Sequence, residues 1–79
     1  MMFVSIGFDN YINKNEVIAI VSSNTFPSKR MIKEAKKLSL LVDATAGRKA
    51  NTLLVTKSGH IVLSHKMKES IGQRFNKDV

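Results

Sequence analysis

Apolar and polar positions alternate, run together or recur at helical spacing in different parts of this chain, and each change of period marks a new element. Met2-Phe3-Val4-Ser5-Ile6 is a β-prone run, and Gly7 after it reads as a bulge or bend. A second extended piece, Phe8-Asp9-Asn10-Tyr11-Ile12, holds a turn signal at Asp9-Asn10, and Asn13-Lys14-Asn15 is another. Glu16-Val17-Ile18-Ala19-Ile20-Val21 is apolar almost throughout, which predicts a central core strand covered on both faces.

Beyond the polar loop Ser22-Ser23-Asn24-Thr25, Pro27 suits the first turn of a helix, where its missing N–H leaves no bond unmade. Residues 27–39 then place Met31, Ile32, Ala35 and Leu38 on one apolar stripe. Lys29, Lys33 and Lys36 follow another face with Arg30 and Lys37 beside them, and Glu34 is spaced to pair with Arg30 at i,i+4. Leu40-Leu41-Val42 reads as a short buried strand and Thr52-Leu53-Leu54-Val55-Thr56 as another. Lys57-Ser58-Gly59 separates Leu53 and Val55 from Ile61 and Leu63, the pattern of a hairpin with glycine in the left-handed position. His60 opens the last strand, as a strand-end or hydrogen-bonding residue rather than a ligand. Met67, Ile71 and Phe75 at i, i+4 and i+8 predict a short C-terminal helix, able to dock on its own sheet or on a neighbouring subunit. The order is strand, strand, strand, helix, strand, turn, hairpin, helix. It predicts an α+β fold: one domain over residues 1–79, with a small, mostly antiparallel sheet, one helix after the core strand and a short C-terminal helix.

Composition removes several classes of function. A chain of 79 residues buries only about 60–65% of its unfolded surface, so a partner subunit is a natural second source of stability. The absence of cysteine excludes disulfides, zinc ribbons and thiol catalysis, and two histidines far from any carboxylate cluster suggest no metal site. Met1-Met2-Phe3-Val4 is apolar but uncharged and is soon interrupted by Asp9 and Asn10, unlike a secretory signal, and no segment reaches membrane-spanning length. A cytoplasmic location is expected.

Charge changes the picture most. Thirteen Lys and Arg against six Asp and Glu give +7, a balance that favours a polyanionic partner. Lys29, Arg30, Lys33, Lys36 and Lys37 form one block, relieved only by Glu34, and Arg48, Lys49, Lys57, Lys66 and Lys68 form another without any acid. Folding can bring the two blocks onto one surface. Between the strands flanking it, Asp43-Ala44-Thr45-Ala46-Gly47-Arg48-Lys49 reads as a projecting turn, with Gly47 the residue best able to adopt positive φ and Arg48 and Lys49 facing solvent. Asp43 is placed to cap that turn or to pair with Arg48.

Catalysis finds little support. The carboxylates are scattered, no nucleophile elbow or metal-ligand cluster is present, and Gly47-Arg48-Lys49-Ala50 lacks both the spacing and the hydroxyl of a phosphate loop. Neither an enzyme nor a nucleotide cofactor nor a small-molecule ligand is expected. Nucleic-acid binding demands less geometry. Lysines neutralise phosphates, and an arginine grips a phosphate or a guanine edge with two prongs. Phe3, Phe8, Phe26 and Phe75 sit among apolar residues as core candidates, which leaves Tyr11 as the available stacking ring and makes duplex DNA the better partner than a single strand.

The residues also resemble a known family. Ile6-Gly7-Phe8, Ile18-Ala19-Ile20-Val21-Ser22, Pro27 with Lys29-Arg30-Met31-Ile32, Asp43-Ala44-Thr45 with Gly47-Arg48, and His60-Ile61-Val62-Leu63-Ser64 together resemble the RemA-type extracellular matrix regulatory proteins, bacterial DNA-binding regulators of biofilm-matrix genes. The resemblance covers nearly the whole chain and implies a small α+β protomer that assembles into a closed ring with a basic surface for duplex DNA. Arg48 matches the family's glycine-following arginine. Lys49 stands where a second arginine is usual, and Asn51 where a third basic residue is common. Glu16 replaces an arginine at the start of the core strand, with Lys14 two positions earlier on the same face if the strand extends that far. The candidate DNA-binding residues are therefore Arg48, Lys49, Asn51, Lys14, Lys29, Arg30, Lys33 and Lys57. An RNA-binding ring, and an assembly protein without a nucleic-acid role, are the alternatives.

Overall fold

The computed structural model describes residues 3–76; Met2 of the expected first strand, and Lys77 and Asp78 of the tail, lie outside them. The elements are β1 (Phe3–Gly7), β2 (Asn10–Asn13), a single 3-10 turn (Lys14–Glu16), β3 (Val17–Ser22), α1 (Phe26–Lys37), β4 (Leu41–Asp43), β5 (Thr52–Thr56), β6 (Ile61–Ser64) and α2 (Lys68–Asn76). β1 and β2 form a two-stranded antiparallel hairpin, and the other strands form a four-stranded sheet in the order β3-β5-β6-β4. The result is an α+β fold in three layers. Alternation along β5 and β6 sends Leu53, Ile61 and Leu63 to one face, against Met31, Ile32 and Ala35 of α1. Leu54 and Val62 point to the other, against Ile6 of the hairpin and Ile71 and Phe75 of α2.

Several expectations hold, each with a visible cause. The bulge near Gly7 falls between Ser5 and Gly7. β5 and β6 pair as the expected hairpin, and Gly59 has φ +91° in its turn. Thr25 caps α1 by accepting a hydrogen bond from the Ser28 amide at 3.2 Å, with Pro27 in the first turn. α2 docks on its own sheet through Ile71, which is fully buried.

Others are corrected. β3 is an edge strand rather than the central one: its residues are half-buried between the two covering layers, and Ile18, at an irregularity between Val17 and Ala19, is 64% exposed. An apolar run reports cover above and below the sheet but not a neighbour at its side. β4 occupies the opposite edge, runs parallel to β6 and leaves Val42 and Asp43 exposed, so it is not the buried strand its sequence suggests. Leu38 falls off the apolar stripe because α1 ends before it and Ser39 turns at φ +59°. Of the four phenylalanines read as core candidates, Phe75 is packed, whereas Phe3, Phe8 and Phe26 are exposed.

Candidate nucleic-acid interface

The turn between β4 and β5 is organised from its first residue. Asp43 Oδ1 accepts from the Thr45 hydroxyl at 2.6 Å and from the Thr45 amide at 2.9 Å. The hydroxyl bond, followed by the amide bond, holds the Asp43 carboxyl below its ordinary value. Thr45, itself buried, returns its carbonyl to the Arg48 amide at 3.0 Å. Between them Ala46 and Gly47 both adopt left-handed φ, +52° and +82°. Both ends of the turn are tied to the sheet. The Ala44 amide donates to the Leu63 carbonyl at 3.0 Å, the Asn51 amide to Ser64 at 2.9 Å, and the Ser23 hydroxyl to the Ala50 carbonyl at 2.7 Å. Asp43 therefore caps the turn and does not pair with Arg48.

Arg48 does not simply project into solvent. Its guanidinium carbon lies 5.5 Å from the centroid of the Phe8 ring, and that ring packs at 4.4 Å, tilted by 42°, against His65. Phe8 belongs to the turn between β1 and β2, where Gly7, Phe8 and Asp9 all have positive φ and the Asn10 side-chain amide donates to the carbonyls of Gly7 and Phe8. The Phe8 ring thus contacts both the arginine and the imidazole, a cluster drawn from three separated stretches of chain.

The structure sorts the eight sequence-predicted residues into three places. Arg48, Lys49 and Asn51 lie at the end of the sheet where β4 and β6 finish and β5 begins. Asn51 is half-buried there, its side-chain amide donating to the His65 carbonyl at 2.6 Å, which makes it a latch between β5 and the segment after β6. Lys29, Arg30 and Lys33 share one exposed face of α1 with Phe26, at helical spacing, around an open hollow of about 380 Å³. That helix starts at the same end of the sheet, since Ser23 of its entry loop donates its amide to the Asn51 carbonyl. Arg30 and Glu34 form no ion pair; among the described residues the ion pair is Lys68–Glu69.

Lys14 and Lys57 are not part of this grouping. They occupy the opposite end, where the Lys57 amide meets the Glu16 carbonyl at 2.8 Å. Lys14 does not continue the face of β3, because Lys14–Glu16 is a 3-10 turn, and its ammonium instead donates to the Phe75 carbonyl at the end of α2. The second basic block is consequently divided between the two ends of the sheet. Sequence reasoning missed Phe8 and Lys66, both at the Arg48 end: a Cβ built on Gly7 would lie 2.5 Å from the His65 ring and 3.5 Å from Lys66 Cε. The signal for Phe8 was its position beside Asp9-Asn10, since a turn between short strands is no place for a core ring.

Among the described residues no group of three or more His, Asp or Glu side chains is gathered as a metal site would require. A family model described as extracellular matrix regulatory protein A-like matches residues 3–75, a span that includes both the Arg48 turn and the Phe8 turn. The chain belongs to the RemA-like family. Among curated relatives of this RemA-like protein, one from Acaryochloris marina is 47% identical over 77 residues, covering 95% of this chain and 88% of the relative. Another from Thermodesulfovibrio yellowstonii is 45% identical over 75 residues, with 95% and 88% covered, and one from Brevibacillus brevis is 44% identical over 72 residues, with 91% and 84% covered. All three carry the name "Putative regulatory protein", so family and relatives alike are described as regulatory rather than catalytic. Among the described residues no helix is long and apolar enough to cross a membrane.

Proposed function

We propose that this RemA-like protein is a non-enzymatic transcriptional regulator of the extracellular-matrix, biofilm-gene type. In this reading it acts in the cytoplasm as a ring-shaped homo-oligomer that binds duplex DNA through the Arg48 turn. The carrying observation is that Arg48 and Lys49 lie side by side on an anchored turn without a carboxylate partner among the described residues, while Asp43, the acid of that turn, is committed to Thr45. Their donors remain available to phosphate oxygens or a guanine edge. Lys29, Arg30 and Lys33 supply further phosphate contacts from α1, and Lys66 from beside Gly7. Duplex is favoured over single strands because the Phe8 ring beside the turn is already in contact with Arg48 and His65 and is not a bare platform for bases.

The ring draws support from the two free edges of the sheet. β3 and β4 lie on opposite sides and present different surfaces, with Ile18 exposed at one and Val42 and Leu38 at the other. Two unlike surfaces on one protomer make head-to-tail contacts, which close into rings when the rotation permits.

Duplex affinity measured against salt concentration tests the reading, on the native protein and on Arg48→Ala/Lys49→Ala with oligomer mass checked on both. Each phosphate contact contributes about −0.9 to the slope of log affinity against log salt, so a steep native slope that flattens in the variant at unchanged mass is expected. Equal slopes would overturn the assignment. Preference for structured RNA in direct competition would move it to an RNA-binding ring, and a flat response in both proteins would leave an assembly protein.

A further inference from the structure

We infer that Phe8 is a positioning residue for Arg48: its ring sets the guanidinium plane at the turn so that the arginine meets duplex DNA with both prongs, and His65 backs the ring. The inference rests on the DNA-binding reading for its ligand, but its geometry stands independently. Phe8 and Arg48 are far apart in sequence, and only the folded arrangement of the β1–β2 turn and the β4–β5 turn brings ring and guanidinium to 5.5 Å.

The left-handed backbone of Phe8 is costly for an aromatic residue, and burial does not explain it. Phe8 and Asp9 are the two central residues of a tight hairpin turn and hold φ of +51° and +61°; such a turn needs left-handed φ at both positions, which suits Asp9 but is rarely adopted by a residue as bulky as Phe8. Gly7 at φ +103° is pressed so closely by His65 that no side chain fits there. Phe8 nevertheless stays 43% exposed, so the strain does not serve to hide an apolar ring. Backbone strain of this kind persists where the surroundings over-determine it, and it concentrates at binding sites. Here the outcome is an aromatic face offered to the one arginine of the turn. A long arginine side chain otherwise loses rotamer freedom on binding, and a ring that already fixes it removes part of that loss while leaving the edge N–H groups free.

The test is a double-mutant cycle in duplex affinity at fixed salt, using the full chain with oligomer mass and thermal unfolding checked for each variant. Phe8→Leu is expected to weaken binding about three- to tenfold, to cause no further loss in an Arg48→Ala background, and to be rescued by Phe8→Tyr, which keeps the aromatic face. Losses that multiply in the double variant, or native affinity in Phe8→Leu, would overturn the inference. A second readout needs no ligand. The Arg48 Nε–H resonance of the free native protein should be displaced by the Phe8 ring current, and an undisplaced resonance overturns the positioning role even if Phe8→Leu fails to fold. Should the native protein bind no duplex, the proposed function fails, and the resonance still decides whether Phe8 orders Arg48.

Discussion

Gly7 shows how a single residue can be fixed by contacts it does not make. Its positive φ and the His65 ring 2.5 Å from any added Cβ leave no room for alanine, so Gly7→Ala should destabilise the fold by about 1–3 kcal/mol, read as a lowered unfolding midpoint. Asp43 is fixed by contacts it does make. Because bonds from Thr45 lower its carboxyl from the ordinary 3.8, its contribution is complete above that value and is lost as the pH falls through the lower folded-state value. The Thr45 amide resonance should therefore titrate with a midpoint below 3.8, and Asp43→Ala should abolish that titration; a midpoint at or above the ordinary value would contradict the cap. Of these residues, Gly47 and Arg48 were legible in the sequence, since a turn bracketed by strands states where a glycine and a cation must go. Phe8 and Asn51 were not, because the partners that define them, Arg48 for one and the His65 carbonyl for the other, arrive only with the tertiary fold.

Elements were legible wherever their signal is local. α1 begins where a threonine cap and Pro27 say it should, and Thr25→Ala, which removes the acceptor for the Ser28 amide, is expected to cost about 1 kcal/mol. Denaturant unfolding would show it as a shifted midpoint at unchanged slope; no shift would mean that Ser28, whose hydroxyl bonds the Ser22 carbonyl, holds the helix start alone. The β5–β6 hairpin was equally plain. What local period cannot carry is neighbourhood: nothing in Leu41-Val42-Asp43 says that this strand runs parallel to β6 rather than antiparallel, and nothing in the apolar run of β3 says that one of its sides is open. The placement of Lys14 on the face of β3 is corrected for a related reason: it requires an extended strand, and a single 3-10 turn rotates the residue away and hands its ammonium to the end of α2.

At the scale of the whole molecule, charge and exposed edges belong together. The net charge of +7 could be read from the sequence, but its division between the Arg48 end and the Lys57 end could not; on the proposed function, a protomer that presents only part of its charge to DNA gains affinity by repetition. Linked copies of a weak site bind far more tightly than one site does, provided the geometry lets them engage together. Ile18 offers a way to separate the two contributions. It is 64% exposed on the edge strand β3 and lies away from the Arg48 turn, so Ile18→Lys should change protomer stability by no more than about 0.5 kcal/mol while placing a charge on the edge proposed to meet the next copy. The expected result is a lower mass in sedimentation, an unfolding transition close to native, and duplex affinity reduced at least about 100-fold through lost multivalency. Unchanged mass would remove the β3 edge from the assembly. A smaller species that keeps native affinity would show that one Arg48 turn binds DNA without repetition, and avidity would then give no reason for the proposed ring.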